Sequence, residues 1–323
     1  MALSKFLDPK LDLTFKKIFG TEKNKNILIH FLNDILGFTG VNAIQDVEFL
    51  STIMDPEIAS DKQSIVDVLC RDSTGARYVI EMQLARDKGF EKRAQLYAAK
   101  AYSRQADKGG KYIDLKKVFF IAISNCNLFP DKPDYISSHT IRDEKTNEHD
   151  LKDFQFIFIE LPKFPKSREE QLENVVDRWL FFFKYAEETT DEDLRKIAEK
   201  SPIIKLAYDE LDKFHWNEKD LVAYEERVMD LQKEAAILEQ KLDDAKNEGR
   251  QEGRQEGRQE GRQEGILIGE EKGKIEGKIE GKIEGKIEVA KNLLKAGISI
   301  DVVSQTTGLS FDEIKQLQAE KTS

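Results

Sequence analysis

Cysteine occurs only twice in 323 residues, at Cys70 and Cys126, each inside an apolar run. That excludes a disulfide scaffold and a cysteine-rich zinc site. The four histidines (His30, His139, His149 and His215) are scattered without metal-ligand spacing, so neither a zinc centre nor a histidine triad is legible. No apolar run approaches the ~20 residues of a membrane span. The opening stretch MALSKFLDPKLDLTFKKIFG also lacks an apolar segment of signal-peptide length. A soluble cytoplasmic protein with no membrane partner is the expectation. Hydrophobic content is low at 39% and charged content high at 35%, so part of the chain lies outside any core. The net charge of −10 argues against a surface generally coated by nucleic acid, while leaving local patches open.

Aromatic residues are not scarce, with 19 Phe, 8 Tyr and 2 Trp, and they gather with the β-branched residues in residues 1–185. Phe15, Ile18 and Phe19, then Ile27, Phe31, Leu32 and Ile35, fall at helical spacing, which predicts two helices broken at GTEKNKN and closed at Gly37. Five strand-like runs follow: IQDVEFL (44–50), SIVDVLCR (64–71), RYVIEMQLA (77–85), KKVFFIAIS (116–124) and FQFIFIEL (154–161). DSTGA, with Gly75, makes the second and third a hairpin. FEKRAQLYAAKAYSRQADKGG (90–110) predicts a crossover helix stopped at Gly109-Gly110, and the whole reads as a mixed α/β core.

From residue 171 the pattern turns helical. Leu221, Tyr224, Val228, Leu231, Ala235, Leu238, Leu242 and Ala245 alternate spacings of 3 and 4. This is the seam of a coiled coil, which suggests a homo-oligomer joined through residues 221–245, or else of one long helix packed on its own domain. GRQE then occurs four times (249–264) and GKIE four times (273–288), with GILIGEEK between them in register. Glycine therefore recurs every fourth residue from Gly249 to Gly285. Each repeat drifts about 40° around a helix, so no fixed apolar face results and the segment reads as a spacer, helical or coiled. The tail (289–323) predicts three short helices, with stops at Gly297 and Gly308 and a capping box from Ser310 to Glu313. Its last two helices resemble part of a helix-turn-helix, though Asp301, Asp312 and Glu313 favour a structural cap over DNA binding. The divisions expected are 1–185 for the catalytic-type domain, 186–248 for a helical extension, 249–288 for the repeat and 289–323 for the helical tail.

The chemistry gathers on the hairpin. Glu81 sits in YVIEMQL and Asp67 in SIVDVLC, each a lone carboxylate in an apolar run, on strands predicted to pair. Two facing buried anions need a proton, a cation or a metal between them. Oxygen ligands without His or Cys suit Mg²⁺ or Mn²⁺, with Met82 offering its backbone carbonyl and Gln83 placed to orient a water or a phosphate oxygen. The other reading puts both carboxylates on a solvated strand face. Residues 86–117 carry ten basic against four acidic residues, a local +6, with Tyr97, Tyr102 and Tyr112 interleaved. Such a face suits a phosphodiester substrate, or is an ordinary solvated helix.

Together these blocks resemble the PD-(D/E)XK nuclease superfamily and, within it, the recombination-promoting nuclease (Rpn) and transposase family. The residues that carry the likeness are LDLTFKKIFG (11–20), IVDVLCRDSTGARYVIEMQ (65–83), YSRQADKGGKYIDLKKVFFIAI (102–123) and FIELPKF (158–164), with the glycine-glutamate tetrapeptides. The resemblance implies a restriction-endonuclease-like α/β core followed by a helical coiled-coil and repeat tail. It implies a Mg²⁺-dependent (or Mn²⁺-dependent) DNA endonuclease that promotes recombination, with Asp67 and Glu81 as metal ligands. Gln83 stands where the superfamily usually has Lys, and Arg93 or Lys100 is the candidate for the missing charge. Asp12 and Lys16 are expected to approach the site, and Lys16, Arg93, Lys100 and Arg104 to contact DNA. The alternative is a weakened or non-catalytic DNA-binding or regulatory protein of a mobile-element or defence system, assembled through its coiled-coil tail.

Overall fold

The computed structural model of the chain describes residues 4–54, 64–106 and 110–319. The chain divides into two units, residues 1–227 and 228–323.

The first unit opens with α1 (Asp12–Phe19) and α2 (Lys25–Leu36), where helical spacing predicts them. Gly37 ends α2 at φ 66°, the left-handed conformation that glycine adopts without penalty. Strands β1 (Val47–Phe49), β2 (Ile53–Met54), β3 (Ser64–Ile65), β4 (Val68–Asp72) and β5 (Arg77–Gln83) follow, then α3 (Phe90–Ser103). Next come β6 (Val118–Ser124), β7 (Ile136–Thr140) and β8 (Phe154–Glu160). Helices α4 (Val175–Tyr185), α5 (Asp191–Lys200) and α6 (Pro202–Leu211) lead into α7 (Glu218–Lys295).

Six strands form one sheet in the order β1-β4-β5-β6-β8-β7, and β2 pairs with β3 separately. β5, β6 and β8 run parallel while the flanking pairs are antiparallel, which is the mixed α/β core expected. Gly75 closes the β4–β5 hairpin at φ 88°. β6 is buried along its whole length, as its uninterrupted apolar run requires of a central parallel strand. Two cores flank the sheet residues. Phe15, Phe19, Phe31, Trp179 and Phe183 join α1, α2 and α4 through ring contacts, and all five are buried. On the other side Phe90, Ala94, Ala98 and Ala101 of α3 pack with Val79, Phe120 and Ala122. Three small side chains on one helical face let α3 lie close to β5 and β6, and that closeness brings its neighbouring residues to the hairpin.

Three local features depart from the sequence reading. The strand expected over 64–71 is broken between β3 and β4, because the Asp67 carboxylate takes a backbone donor of β5 that a continuous ladder would use. Helix α3 ends at Ser103, short of Gly109-Gly110. The Arg77 guanidinium donates to the Ala101 carbonyl at 2.7 Å and caps that end. Gln105 then pairs through its side chain with both backbone groups of Lys116. Gly109, with Asp107 and Lys108, lies outside the described residues. The edge strand β7 has the sequence ISSHT, too polar for an apolar alternation to announce it.

In the second unit the repeat is helical throughout, about 60 Å of helix for its 40 residues. Apart from its chain neighbours and the adjoining backbone of the same helix, no described residue comes within 4 Å of the place a Cβ would take on any glycine from Gly249 to Gly285. The C-terminal end of α7 packs with α8 (Ile300–Thr307) and α9 (Phe311–Ala319) around Ala290, Val303, Leu309 and Ile314. The first of the three expected tail helices is thus the end of α7. Gly297 and Gly308 take positive φ, 81° and 67°. Ser310 and Glu313 bond reciprocally at the start of α9, as a capping box does. Along the expected seam Tyr224 is buried and its hydroxyl oxygen accepts the Asp8 N–H, whereas Leu238 and Leu242 are exposed. Among the described residues no helix is long and apolar enough to cross a membrane.

Candidate functional site

The antiparallel register of β4 and β5 pairs Val68 with Ile80, so Asp67, one residue before β4, falls opposite Glu81. The chain bends there, and Asp67 Oδ2 accepts the Met82 N–H at 2.8 Å. Successive side chains of β5 alternate between faces. Val79 joins the α3 core, and Glu81 and Gln83 share that face, where Gln83 meets Arg93 of α3. Glu81 is 6% exposed, and its Oε1 is buried without a hydrogen-bond partner.

A buried carboxylate in a strand is not by itself unusual in this fold. Glu160, fully buried at the end of β8, shows how such a group is normally satisfied. Its Oε1 accepts the Leu128 and Phe129 N–H groups at 2.6 and 3.0 Å, and its Oε2 meets Lys163 Nζ at 2.8 Å. Glu81 has no such set. Among the described residues three buried side-chain polar atoms lack a partner, and two of them, Glu81 Oε1 and Arg93 Nε, belong to this site.

The electrostatics follow from burial. Desolvation, reinforced by the Asp67 charge, pushes the Glu81 carboxyl up to about 8, with Arg93 and Lys16 opposing. Desolvation likewise raises Asp67 to about 6, against the Met82 N–H that favours its anion. Lys16 on α1 stands 2.7 Å from Asp12 and 3.8 Å from Asp67. Burial alone would depress its ammonium, but the hydrogen bond it donates to Asp12 and the charges of Asp12, Asp67 and Glu81 hold it above its ordinary value.

Arg93 reaches the site from α3. Its Nη2 donates to Gln83 Oε1 at 2.6 Å and its Nη1 to Asp87 at 2.9 Å, and its guanidinium lies over the Phe90 ring. The Gln83 amide nitrogen donates to the Ala85 carbonyl. Asp12, Lys16, Asp67, Glu81, Gln83 and Arg93 are therefore brought together. Lys100 and Arg104 continue the same stripe of α3 toward its other end, Arg104 about 16 Å of helix from Arg93. There the Arg104 guanidinium donates to the Ile53 carbonyl, at the end of α3 that Arg77 of β5 caps. Asp87 and Tyr97 escaped the sequence reading as site residues. The spacing of four from Arg93 to Tyr97 was a signal for the second. The Tyr97 ring lies 6.0 Å from the Arg93 guanidinium, and burial and then the Glu81 charge raise its hydroxyl. Nothing in the sequence marks Asp87 as the anchor of Arg93.

The residues fit a hard divalent cation. The donors are all oxygen, one of them the buried and unpartnered Glu81 Oε1, and burial raises both carboxyls above their ordinary values, so that added positive charge is favoured between them. Among the described residues no group of three or more His, Cys, Asp or Glu side chains converges as a closed cage. Two carboxylates and a backbone carbonyl are the sparse set that leaves most of a Mg²⁺ shell to water and substrate.

Comparison with known proteins agrees with this geometry. A family model described as the PD-(D/E)XK nuclease family transposase matches residues 9–241, which include α1, the whole sheet and α3. A second, described as the Rpn/YhgA-like nuclease family C-terminal HTH domain, matches residues 284–319, the end of α7 with α8 and α9. No curated protein matches the chain, and no solved structure does. The mixed sheet with its flanking helices is thus the restriction-endonuclease-like core, and nuclease chemistry is the family's. With the acidic hairpin and α3 both inside the matched span, the chain belongs to the PD-(D/E)XK nuclease family of transposases and carries at its end the helix-turn-helix domain of the Rpn/YhgA-like nucleases.

Proposed function

We propose that the protein is a Mg²⁺- or Mn²⁺-dependent DNA endonuclease that acts in the cytoplasm and promotes recombination by breaking duplex DNA. The observation that carries this reading is the buried, unpartnered oxygen of Glu81 opposite Asp67 on the hairpin. Asp67, Glu81 and the Met82 carbonyl would hold the ion, with Asp12 at the edge of the set. A divalent ion there supplies Lewis acidity, easing the loss of a proton from water and offsetting charge that develops on the phosphate. The chain's own groups do the rest. The Met82 N–H fixes the Asp67 carboxylate, Lys16 and Arg93 bring positive charge to the phosphate, and Lys100 and Arg104 extend a basic track for the backbone. The helix-turn-helix domain is a second DNA contact. Exposed Leu238 and Leu242 suit a second copy along residues 221–245, which would present two sites to the two strands. The four divisions at 185, 248 and 288 belong to this reading as its working parts.

Purified protein incubated with supercoiled plasmid and Mg²⁺ or Mn²⁺, beside Asp67→Ala and Glu81→Ala, tests it. Metal-dependent nicking or linearisation that both substitutions abolish is the expected result. Absence of cutting under either metal, with folding intact and DNA still bound, would replace it by a regulatory DNA-binding role.

A further inference from the structure

Gln83 is committed to the protein at both ends of its amide. Oε1 accepts from Arg93 and Nε2 donates to the Ala85 carbonyl, so the side chain has little left for a water or a phosphate. Arg93 is committed at two of its three nitrogens. Nη2 is on Gln83 and Nη1 on Asp87, with the guanidinium lying over Phe90. Its third nitrogen, Nε, is buried and unpartnered, in the same site as the unpartnered Oε1 of Glu81. A buried donor and a buried acceptor left open in one site mark a place prepared for something that offers both an acceptor and a cation.

We propose that Arg93 supplies the cationic donor of the cleavage site, its Nε–H meeting a non-bridging oxygen of the scissile phosphodiester, and that Gln83 is the positioning residue that holds it there. This rests on the nuclease reading and assigns two of its parts. The charge that the superfamily usually places on the strand, as Lys, has moved to α3, and the strand position has become its bracket. An ammonium can only donate, so Lys at 83 could not accept from a guanidinium; an amide does so and anchors itself to a carbonyl as well. In hydrolysis a water oxygen bonds to phosphorus while one P–O ester bond breaks. The water loses one proton to solvent, and the departing alkoxide gains one. Arg93 keeps its protons throughout and offsets charge that grows on the phosphoryl oxygens.

The test uses the full chain. Cleavage of a duplex with Mg²⁺ is followed as kcat and KM for wild type, Arg93→Gln, Arg93→Lys, Gln83→Lys and the double variant Gln83→Lys/Arg93→Gln. In parallel, the ¹⁵Nε–H resonance of Arg93 is followed in metal-free buffer as inorganic phosphate or an uncleavable phosphorothioate duplex is added. Arg93→Gln should lower kcat by about 10²-fold or more with little change in KM, and Arg93→Lys by less. Gln83→Lys should be nearly as damaging, because it displaces Arg93. The double variant should recover at least ~10-fold over Gln83→Lys alone, the non-additivity expected of two groups acting as one. The Arg93 resonance should shift with the phosphodiester in wild type and lose that shift in Gln83→Lys. Thermal melting of each variant separates these effects from unfolding, and Arg93→Lys keeps the test alive if Arg93→Gln melts early. Cutting by wild type that Arg93→Gln leaves within about 3-fold would overturn this inference and leave the nuclease reading standing. No cutting by wild type under any metal would remove both.

Discussion

Asp67 Oδ2 and the Met82 N–H stand 2.8 Å apart, and that one bond ties the bend before β4 to the residue next to Glu81. One oxygen of the carboxylate is thus a backbone acceptor, and under the proposed function the other would be a charged ligand, so the two jobs are separable. Asp67→Asn keeps an acceptor for Met82 and removes the charge. Its stability should lie within about 1 kcal/mol of wild type, while cleavage falls at least ~100-fold. Asp67→Ala should add about 1–3 kcal/mol of destabilisation, because the buried N–H is then orphaned. Plasmid nicking and urea melts of the two variants check this. Asn cutting at nearly the wild-type rate would mean that the charge of Asp67 is not used.

The raised carboxyl of Glu81 makes stability depend on pH in an unusual direction. The folded state holds this proton more tightly than the unfolded chain does. The stabilisation is complete below the ordinary value of 4.5 and is lost as pH rises toward about 8. Metal-free protein should therefore weaken across that window by an amount on the order of a few kcal/mol. Glu81→Gln should be flat over the upper part of it, where Asp67, raised to about 6, has already ionised. Mg²⁺ should raise the melting temperature of wild type more at pH 8 than at pH 6, since the ion binds the anion. Scanning calorimetry in EDTA and in Mg²⁺ settles the sign. A wild-type profile as flat as that of Glu81→Gln contradicts the burial argument.

Glu160 provides a contrast within the same sheet. It is as buried as Glu81 but fully hydrogen-bonded, so its role is to fix the backbone at 128–129 and to pair with Lys163. Glu160→Ala should cost about 3–5 kcal/mol by stranding Lys163 and two backbone donors. Metal affinity, measured by calorimetric titration on the protein that remains folded, should change little. A large loss of affinity would draw Glu160 into the metal site.

Lys100 and Arg104 lie along the stripe that leads away from the carboxylates. Replacing each with Ala should weaken duplex binding at all sequences alike and reduce the salt slope by about 1. Fluorescence anisotropy over a range of KCl concentrations measures this. An unchanged slope in both variants would take the DNA off this face of α3.

Much of this arrangement is written in local pattern. A lone acid in each of two neighbouring apolar runs marked the two carboxylates that the structure brings together, and the DSTGA turn set the partnership that faces Asp67 with Glu81. Ala94, Ala98 and Ala101 of α3 sit four and three apart, which marks the face that reaches the sheet. What escaped is of a different kind. The break at Asp67 depends on one side chain outcompeting a backbone ladder, which no periodicity reports. Strand β7 is polar because it forms an edge. Asp87 acquires its role only because the loop before α3 folds back, and α3 stops early because a guanidinium six residues before Gln83 reaches its last carbonyls.

Four residues advance an α-helix by about 6 Å and overshoot a full turn by about 40°. Because the repeat from Gly249 is helical, gaining or losing one tetrapeptide shifts and rotates the three-helix end of the second unit by those amounts against the helix that precedes the repeat. Nine copies, about ten turns, would bring it back to its original azimuth. Copy number thus acts as a vernier, setting the heading of the helix-turn-helix in steps without altering a single contact inside it.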